Sequence, residues 1–90
     1  MRPIRLSVHA KEQLHYRGIE EGEVFEAIRT STWETAKKGR LQATKNYLYG
    51  NEWNKKFYSD KQVKPVFVEE ESEIVVITVY AYYFNKEVKA

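Results

Sequence analysis

Ninety residues predict a single domain over residues 1–90, because two domains of half that length would each be too small for an independent core. With 42% hydrophobic, 31% charged and 14% aromatic residues, the composition excludes a disordered or low-complexity chain. The formal net charge is +2, and the absence of cysteine excludes a disulfide framework, a thiolate zinc site and a cysteine nucleophile.

Two helices are predicted at the N-terminal end. Ser7 is a suitable N-cap for a helix over Val8–Arg17, and Gly18 follows as a left-handed cap with Ile19 supplying the hydrophobic contact. A second helix is predicted over 21–29, because acidic residues stand in its first turn and an apolar stripe follows.

Strands are predicted in the rest of the chain. Segments 32–35 and 41–49 have strand composition and are separated by a turn at 37–40, and a second turn is expected at 50–52. Residues 56–59 predict only a short or irregular piece.

The last two strands are predicted at 63–69, beginning near Pro65, and at Ile74–Phe84, with a hairpin turn between them. The final strand is apolar on both faces, so we expect it to be central. The order of elements predicts an α+β fold in which two N-terminal helices pack on one face of a twisted antiparallel sheet of about four strands.

The period of two divides this last strand into two faces. The face expected beneath the helices carries Val75, Ile77, Val79, Ala81 and Tyr83. The other face, with Ile74, Val76, Thr78, Tyr80, Tyr82 and Phe84, is expected to look into an open, concave side of the sheet near Lys37, Arg40 or Lys45. A shift of one residue in register would invert the assignment.

The positive charge is concentrated in the middle of the chain. Residues 37–64 carry eight basic and two acidic side chains, whereas the segments on either side are both net negative. Five aromatic residues lie among these cations, and cations with rings are typical of single-stranded nucleic-acid surfaces. The RNA-binding candidates are Lys37, Lys38, Arg40, Lys45 and Lys61 of this segment, together with Thr78 on the open face of the last strand. The alternative is a solvated, lysine-rich β-meander whose rings are half buried.

The two histidines, His9 and His15, lie about 240° apart around the first helix, so a metal site with both of them as ligands is not expected. We therefore predict neither a metal nor a cofactor. His9 and Gln13 share a helix face that Arg17 continues, and a histidine near a fixed cation suits phosphodiester cleavage. The alternative is that His9 has a structural role, as a cap or a packed side chain, and that Arg17 simply lies at the C-terminus of the helix.

Membrane association is not expected. The longest apolar run, at 74–84, is too short for a membrane-spanning helix, and the N-terminus lacks the apolar region of a signal peptide. A cytoplasmic location is the simplest interpretation.

Ser7-Val8-His9-Ala10, Arg17-Gly18-Ile19 and the strand Val76-Ile77-Thr78-Val79-Tyr80 together resemble a bacterial domain-of-unknown-function family. The resemblance covers roughly residues 5–84. That family has been grouped with the compact, metal-independent ribonuclease toxins of the RelE, ParE and BrnT kind, so the resemblance implies a RelE- or barnase-like fold. Gln13 stands where relatives often carry a second basic residue.

The resemblance implies an endoribonuclease, the toxin half of a toxin–antitoxin pair, that cleaves RNA by attack of a 2′-hydroxyl on the adjacent phosphorus. His9 would then act as acid or base, Arg17 would contact phosphate, and Tyr80 or Thr78 would position the scissile group. RNA and an antitoxin protein would be the partners. A non-catalytic RNA- or ribosome-binding module of the same fold, favoured by Gln13 and the single suitable histidine, is one alternative. A structural or regulatory protein with merely solubilising lysines is another.

Overall fold

The computed structural model describes residues 2–86 and has the expected α+β class. In chain order the elements are β1 (Ile4–Leu6), α1 (Val8–Arg17), α2 (Glu21–Thr30), β2 (Glu34–Thr35), a 3-10 turn (Lys37–Gly39), β3 (Leu41–Gln42), β4 (Lys45–Trp53), β5 (Lys56–Glu69) and β6 (Ile74–Phe84). Within the described residues the strands form one six-stranded sheet, larger than the four strands expected.

Both helices form where the sequence predicts them. The Ser7 side chain accepts a hydrogen bond from the Ala10 backbone N–H at 3.0 Å, and Gly18 ends α1 in the left-handed conformation. The Glu20 side chain and Glu23 form a reciprocal capping box at the start of α2. These local contacts satisfy backbone groups that a helix end leaves without partners.

The sheet is built around β5, which pairs with β6 along one side and with β4 and β3 along the other. The prediction of an irregular piece at 56–59 is wrong, because these residues begin β5. The turn expected at 50–52 is also wrong. Strand β4 continues to Trp53, and the chain reverses at Asn54 and Lys55, both of which have positive φ.

Pro65 lies inside β5 rather than at its start. Its carbonyl accepts from the Ala43 N–H at 3.2 Å, so its ring nitrogen faces the gap between β3 and β4, where no ladder donor is needed. This gap lets a proline occupy the longest strand of the sheet.

Strand β6 has the predicted bounds, but its two faces differ from the prediction because its register with β5 shifts by one residue. Val66 pairs with Thr78, whereas Phe67 pairs with Val76, which leaves Ile77 without a partner in the ladder. Such a bulge resets the alternation of side chains. The helix-covered face therefore carries Ile74 and Val76 before the shift, and Val79, Ala81 and Tyr83 after it.

The short strand β1 pairs in parallel with the first three residues of β6, Ile74–Val76, so β6 has a neighbouring strand on both sides only there. The core lies between the sheet and the two helices. Its most deeply buried side chains include Val24 and Ile28 of α2, Val63 and Phe67 of β5, and Val79 of β6. Within residues 2–86, neither helix is long and apolar enough to cross a membrane.

Candidate nucleic-acid interface

A groove of about 510 Å³ lies on the sheet face that the helices leave open. We call it the basic groove. Its lining residues are Ala36, Lys37, Lys38, Arg40, Gln42, Lys64, Val66, Thr78, Tyr80 and Tyr82. The floor follows from strand pairing, because Lys64 stands opposite Tyr80, and Val66 opposite Thr78, on neighbouring strands. Residues paired in this way point to the same side of a sheet.

One wall of the basic groove is the turn between β2 and β3. The Ala36 N–H donates to the Arg40 carbonyl at 2.8 Å and closes the turn. Lys38 and Gly39 both have left-handed φ values, which reverse the chain within a few residues. Three cations, those of Lys37, Lys38 and Arg40, are thereby grouped along the groove.

The floor of the basic groove carries two half-exposed tyrosine rings. The ring centres of Tyr80 and Tyr82 are 6.4 Å apart and their planes differ by 21°. The Lys64 Nζ lies 5.3 Å from the centre of the Tyr80 ring and 5.5 Å from that of Tyr82. The rings therefore form an open, nearly parallel pair with a cation beside both of them.

Helix α1 closes the edge of β6 next to the groove. The Gln13 Oε1 accepts from the Val79 N–H at 2.8 Å and from the Thr78 hydroxyl. One turn later, Arg17 Nη1 donates to the Val79 carbonyl at 2.7 Å. Both backbone groups of Val79 would otherwise be unpaired strand-edge groups, so these side chains replace a missing strand.

Arg17 also joins the helix to the groove. Its guanidinium carbon lies 5.2 Å from the centre of the Tyr80 ring, within the range of a cation–π contact. A guanidinium has five N–H donors, and the bond to Val79 uses one of them. Arg17 therefore supports Tyr80 and retains donors that suit a phosphate.

His9 is exposed and stands one helical turn before Gln13, on the same stripe of α1. It is absent from the groove lining, and no side-chain hydrogen bond is found for it among residues 2–86. The alternative in which His9 packs in the core is therefore excluded. The structure places the predicted catalytic trio along one edge, with Arg17 and Tyr80 in contact and His9 farther along the helix.

Two of the predicted RNA-binding lysines lie on the other side of the sheet. Lys61 donates from Nζ to Glu23 Oε1 at 2.8 Å and to the Gly18 carbonyl at 3.0 Å, and its side chain is 6% exposed. Lys45 donates to the Thr30 hydroxyl at 3.2 Å. The structure thus brings together Lys37, Lys38, Arg40, Thr78 and Tyr80 but keeps Lys45 and Lys61 apart from them.

Sequence reasoning did not single out Lys64, Tyr82 or Gln42 as site residues. The alternation of side chains along a strand could have identified Lys64 and Tyr82. Tyr82 lies two residues after Tyr80 on the same face of β6, and Lys64 lies two residues before Val66 on the same face of β5. Gln42 carried no comparable signal, because β3 is only two residues long.

The electrostatics of the two faces differ. Of the ten groove-lining residues, all within 2–86, four are cationic and none is acidic. On the covered face, burial raises the pKa of Tyr83 to about 12, with further contributions from Tyr49 and Glu23. Burial, together with the Glu26 carboxylate, also raises the pKa of Tyr47. The lining of the open face is therefore positively charged, whereas burial on the covered face favours the neutral form of the tyrosine hydroxyls.

Across residues 2–86, no group of three or more histidine and carboxylate side chains is placed to hold a metal ion. No family model matches the chain, and no curated protein or solved structure is significantly similar to it. The resemblance to ribonuclease toxins accordingly stays a prediction.

Proposed function

We propose that this protein binds RNA in the basic groove. The observation that carries the proposal is the grouping of four cations around two tyrosine rings in the basic groove, namely Lys37, Lys38, Arg40 and Lys64 around Tyr80 and Tyr82. None of the ten described residues that line the groove is acidic. Cations contact phosphates, and aromatic faces contact bases. Lysines that serve only solubility would have no reason to be grouped beside two nearly parallel tyrosine rings.

The choice of RNA over other polyanions rests on the family resemblance and on the groove's mixture of rings and cations. A site for an isolated phosphate would need only the cations. If the protein works as the resemblance implies, its site of action is the bacterial cytoplasm, and an antitoxin protein would cover the basic groove.

The salt dependence of RNA binding tests this proposal. Four groove cations predict a slope of about −3 in a plot of log K against log salt, at roughly 0.7 per phosphate contact on a single strand. Lys38→Gln should make the slope less negative by about 0.7. Lys11→Gln, which removes the same charge from the exposed surface of α1, is the matched control and should leave the slope unchanged. A flat salt response would contradict the proposal.

A metal-independent endoribonuclease is the second candidate. The observation that favours it is the Arg17–Tyr80 contact at the groove edge, with His9 on the same stripe of α1. In that reaction a 2′-hydroxyl loses its proton and attacks phosphorus, the 5′-oxygen leaves and gains a proton, and Arg17 stabilises the added negative charge. His9 would serve in proton transfer once RNA spans the edge.

Induced expression in a bacterial host separates the two candidates. Growth and total RNA are followed for wild type, for His9→Ala and, as a control, for His15→Ala. Because His9 is exposed, the variant should fold normally, which circular dichroism checks. RNA fragmentation that disappears only with His9→Ala would favour the nuclease. Intact RNA and normal growth with the wild type would leave the binding module.

A further inference from the structure

The spacing of the two groove tyrosines indicates which kind of RNA the groove accepts. The ring centres of Tyr80 and Tyr82 are 6.4 Å apart, nearly twice the spacing of about 3.4 Å between successive nucleotides of a helical strand. Consecutive bases that occupy both rings must therefore be unstacked from each other. Only an extended, unpaired strand can present its bases in this way.

The cations lie where such a strand needs them. Lys64 Nζ is almost equally distant from both ring centres, at 5.3 and 5.5 Å, so it is close to a phosphate that joins nucleotides placed on the two rings. The turn carrying Lys37, Lys38 and Arg40 forms a wall of the same groove and offers positive charge to the flanking phosphates.

The rings are available and supported. Tyr80 is 38% exposed and Tyr82 45% exposed, so solvent reaches part of both side chains, and an incoming base would share the rings with the Lys64 and Arg17 side chains. Arg17 and Lys64 both lie near the Tyr80 ring, so it is held in place without RNA. A preorganised ring loses less conformational freedom when a base stacks on it.

We propose that the basic groove takes unpaired RNA, with two consecutive bases stacking on Tyr80 and Tyr82 and Lys64 contacting the phosphate between them. This inference rests on the proposed function and adds to it the class of substrate. Duplex RNA is excluded from this mode, because its bases stack on one another and expose only their edges in the grooves.

Three labelled probes of equal length test the inference: an unstructured RNA of mixed sequence, the same RNA annealed to its complement, and an abasic chain that keeps the phosphates. We expect the single strand to bind at least tenfold more tightly than the abasic chain or the duplex. Tyr80→Leu and Tyr82→Leu should each weaken single-strand binding roughly 5- to 150-fold, the range for loss of one stacked base, and leave abasic binding unchanged.

Two variants serve as controls. Tyr80→Phe keeps the ring and should retain single-strand affinity, while Tyr16→Leu removes an exposed tyrosine from α1 and should have no effect. If the duplex or the abasic chain binds as tightly as the single strand, or if both leucine variants bind normally, the stacking inference is overturned while RNA binding stands. If none of the probes binds, the proposed function itself fails.

Discussion

Lys61 and Lys64 lie three residues apart in β5, yet they occupy opposite faces of the sheet. Lys61 points under the helices, where its Nζ donates hydrogen bonds to the Glu23 carboxylate and to the Gly18 carbonyl. Lys64 points into the basic groove, beside Tyr80 and Tyr82. Two residues of the same type in one charged segment thus have different surroundings, because neighbouring positions of a strand point in opposite directions.

The same contrast separates Tyr82 from Tyr83. Tyr82 is 45% exposed in the groove, whereas Tyr83 stacks on Trp53 at 4.8 Å and donates its hydroxyl to the Arg17 carbonyl. Residues of the same type on β5 and β6 therefore contribute to two different surfaces, according to the face on which each lies. Those on one face stabilise the covered side of the sheet, and those on the other face form the proposed binding surface.

The largest expected effect is the loss of the covered lysine. Lys61→Met leaves the Glu23 carboxylate, which is 17% exposed, without its cation, so we expect the free energy of unfolding to fall by about 3 kcal/mol. Lys64→Met should change it by less than about 0.5 kcal/mol and weaken RNA binding instead. Urea denaturation of both variants measures the difference, and equal destabilisation would remove the contrast.

A smaller loss is expected from Gly18→Ala, which tests the packing beside Lys61. Gly18 has φ of +65°, and an added Cβ would lie 2.6 Å from Trp53 Cζ3 and 2.9 Å from the Tyr83 hydroxyl oxygen. Left-handed strain and crowding together should lower the free energy of unfolding by about 2 kcal/mol. Gly22→Ala is the control, because open space surrounds that position. Equal thermal stability of Gly18→Ala and wild type would refute the packing described.

The smallest expected effect is a loss of stability at alkaline pH. The pKa of Tyr83 rises from 10 to about 12 on folding, so the unfolded chain releases this proton first. The stability that Tyr83 contributes by staying protonated is fully present below pH 10 and is lost as the pH rises towards 12. Tyr83→Phe should reduce the slope of the free energy of unfolding against pH in this interval, and Tyr82→Phe is the control. Identical slopes for wild type and Tyr83→Phe would contradict the assignment.

Local signals predicted the helices and β6 correctly. Ser7 and Gly18 cap α1 through bonds to nearby residues, and the run at 74–84 is apolar along most of its length, so a sequence pattern suffices to place those elements. β1 was not predicted, because three residues form a strand only when the distant β6 is there to pair with them. The first residues of β5, 56–59, have no regular alternation of polar and apolar side chains, and their pairing with β4 makes them a strand.

Only part of the candidate site was predicted, because the rest depends on how the strands pair. The open face was placed near Lys37, Arg40, Thr78 and Tyr80, and the structure does bring these residues together. The faces before Ile77 were inverted, because a bulge depends on pairing between strands and leaves little trace in one sequence. Lys61 could not be distinguished from Lys64 until the position of Glu23 was known.

If the proposed function is right, RNA binds the open face of the sheet. The most direct measurement is a titration of ¹⁵N-labelled protein with an unstructured RNA, following the backbone amide signals of residues on both faces. We expect the signals of Lys64, Thr78, Tyr80 and Tyr82 and of the turn at Lys37–Gly39 to shift, while those of Val24 and Ile28 in α2, on the covered side, stay in place. Shifts confined to the helices and the covered face, with the groove signals unchanged, would contradict it.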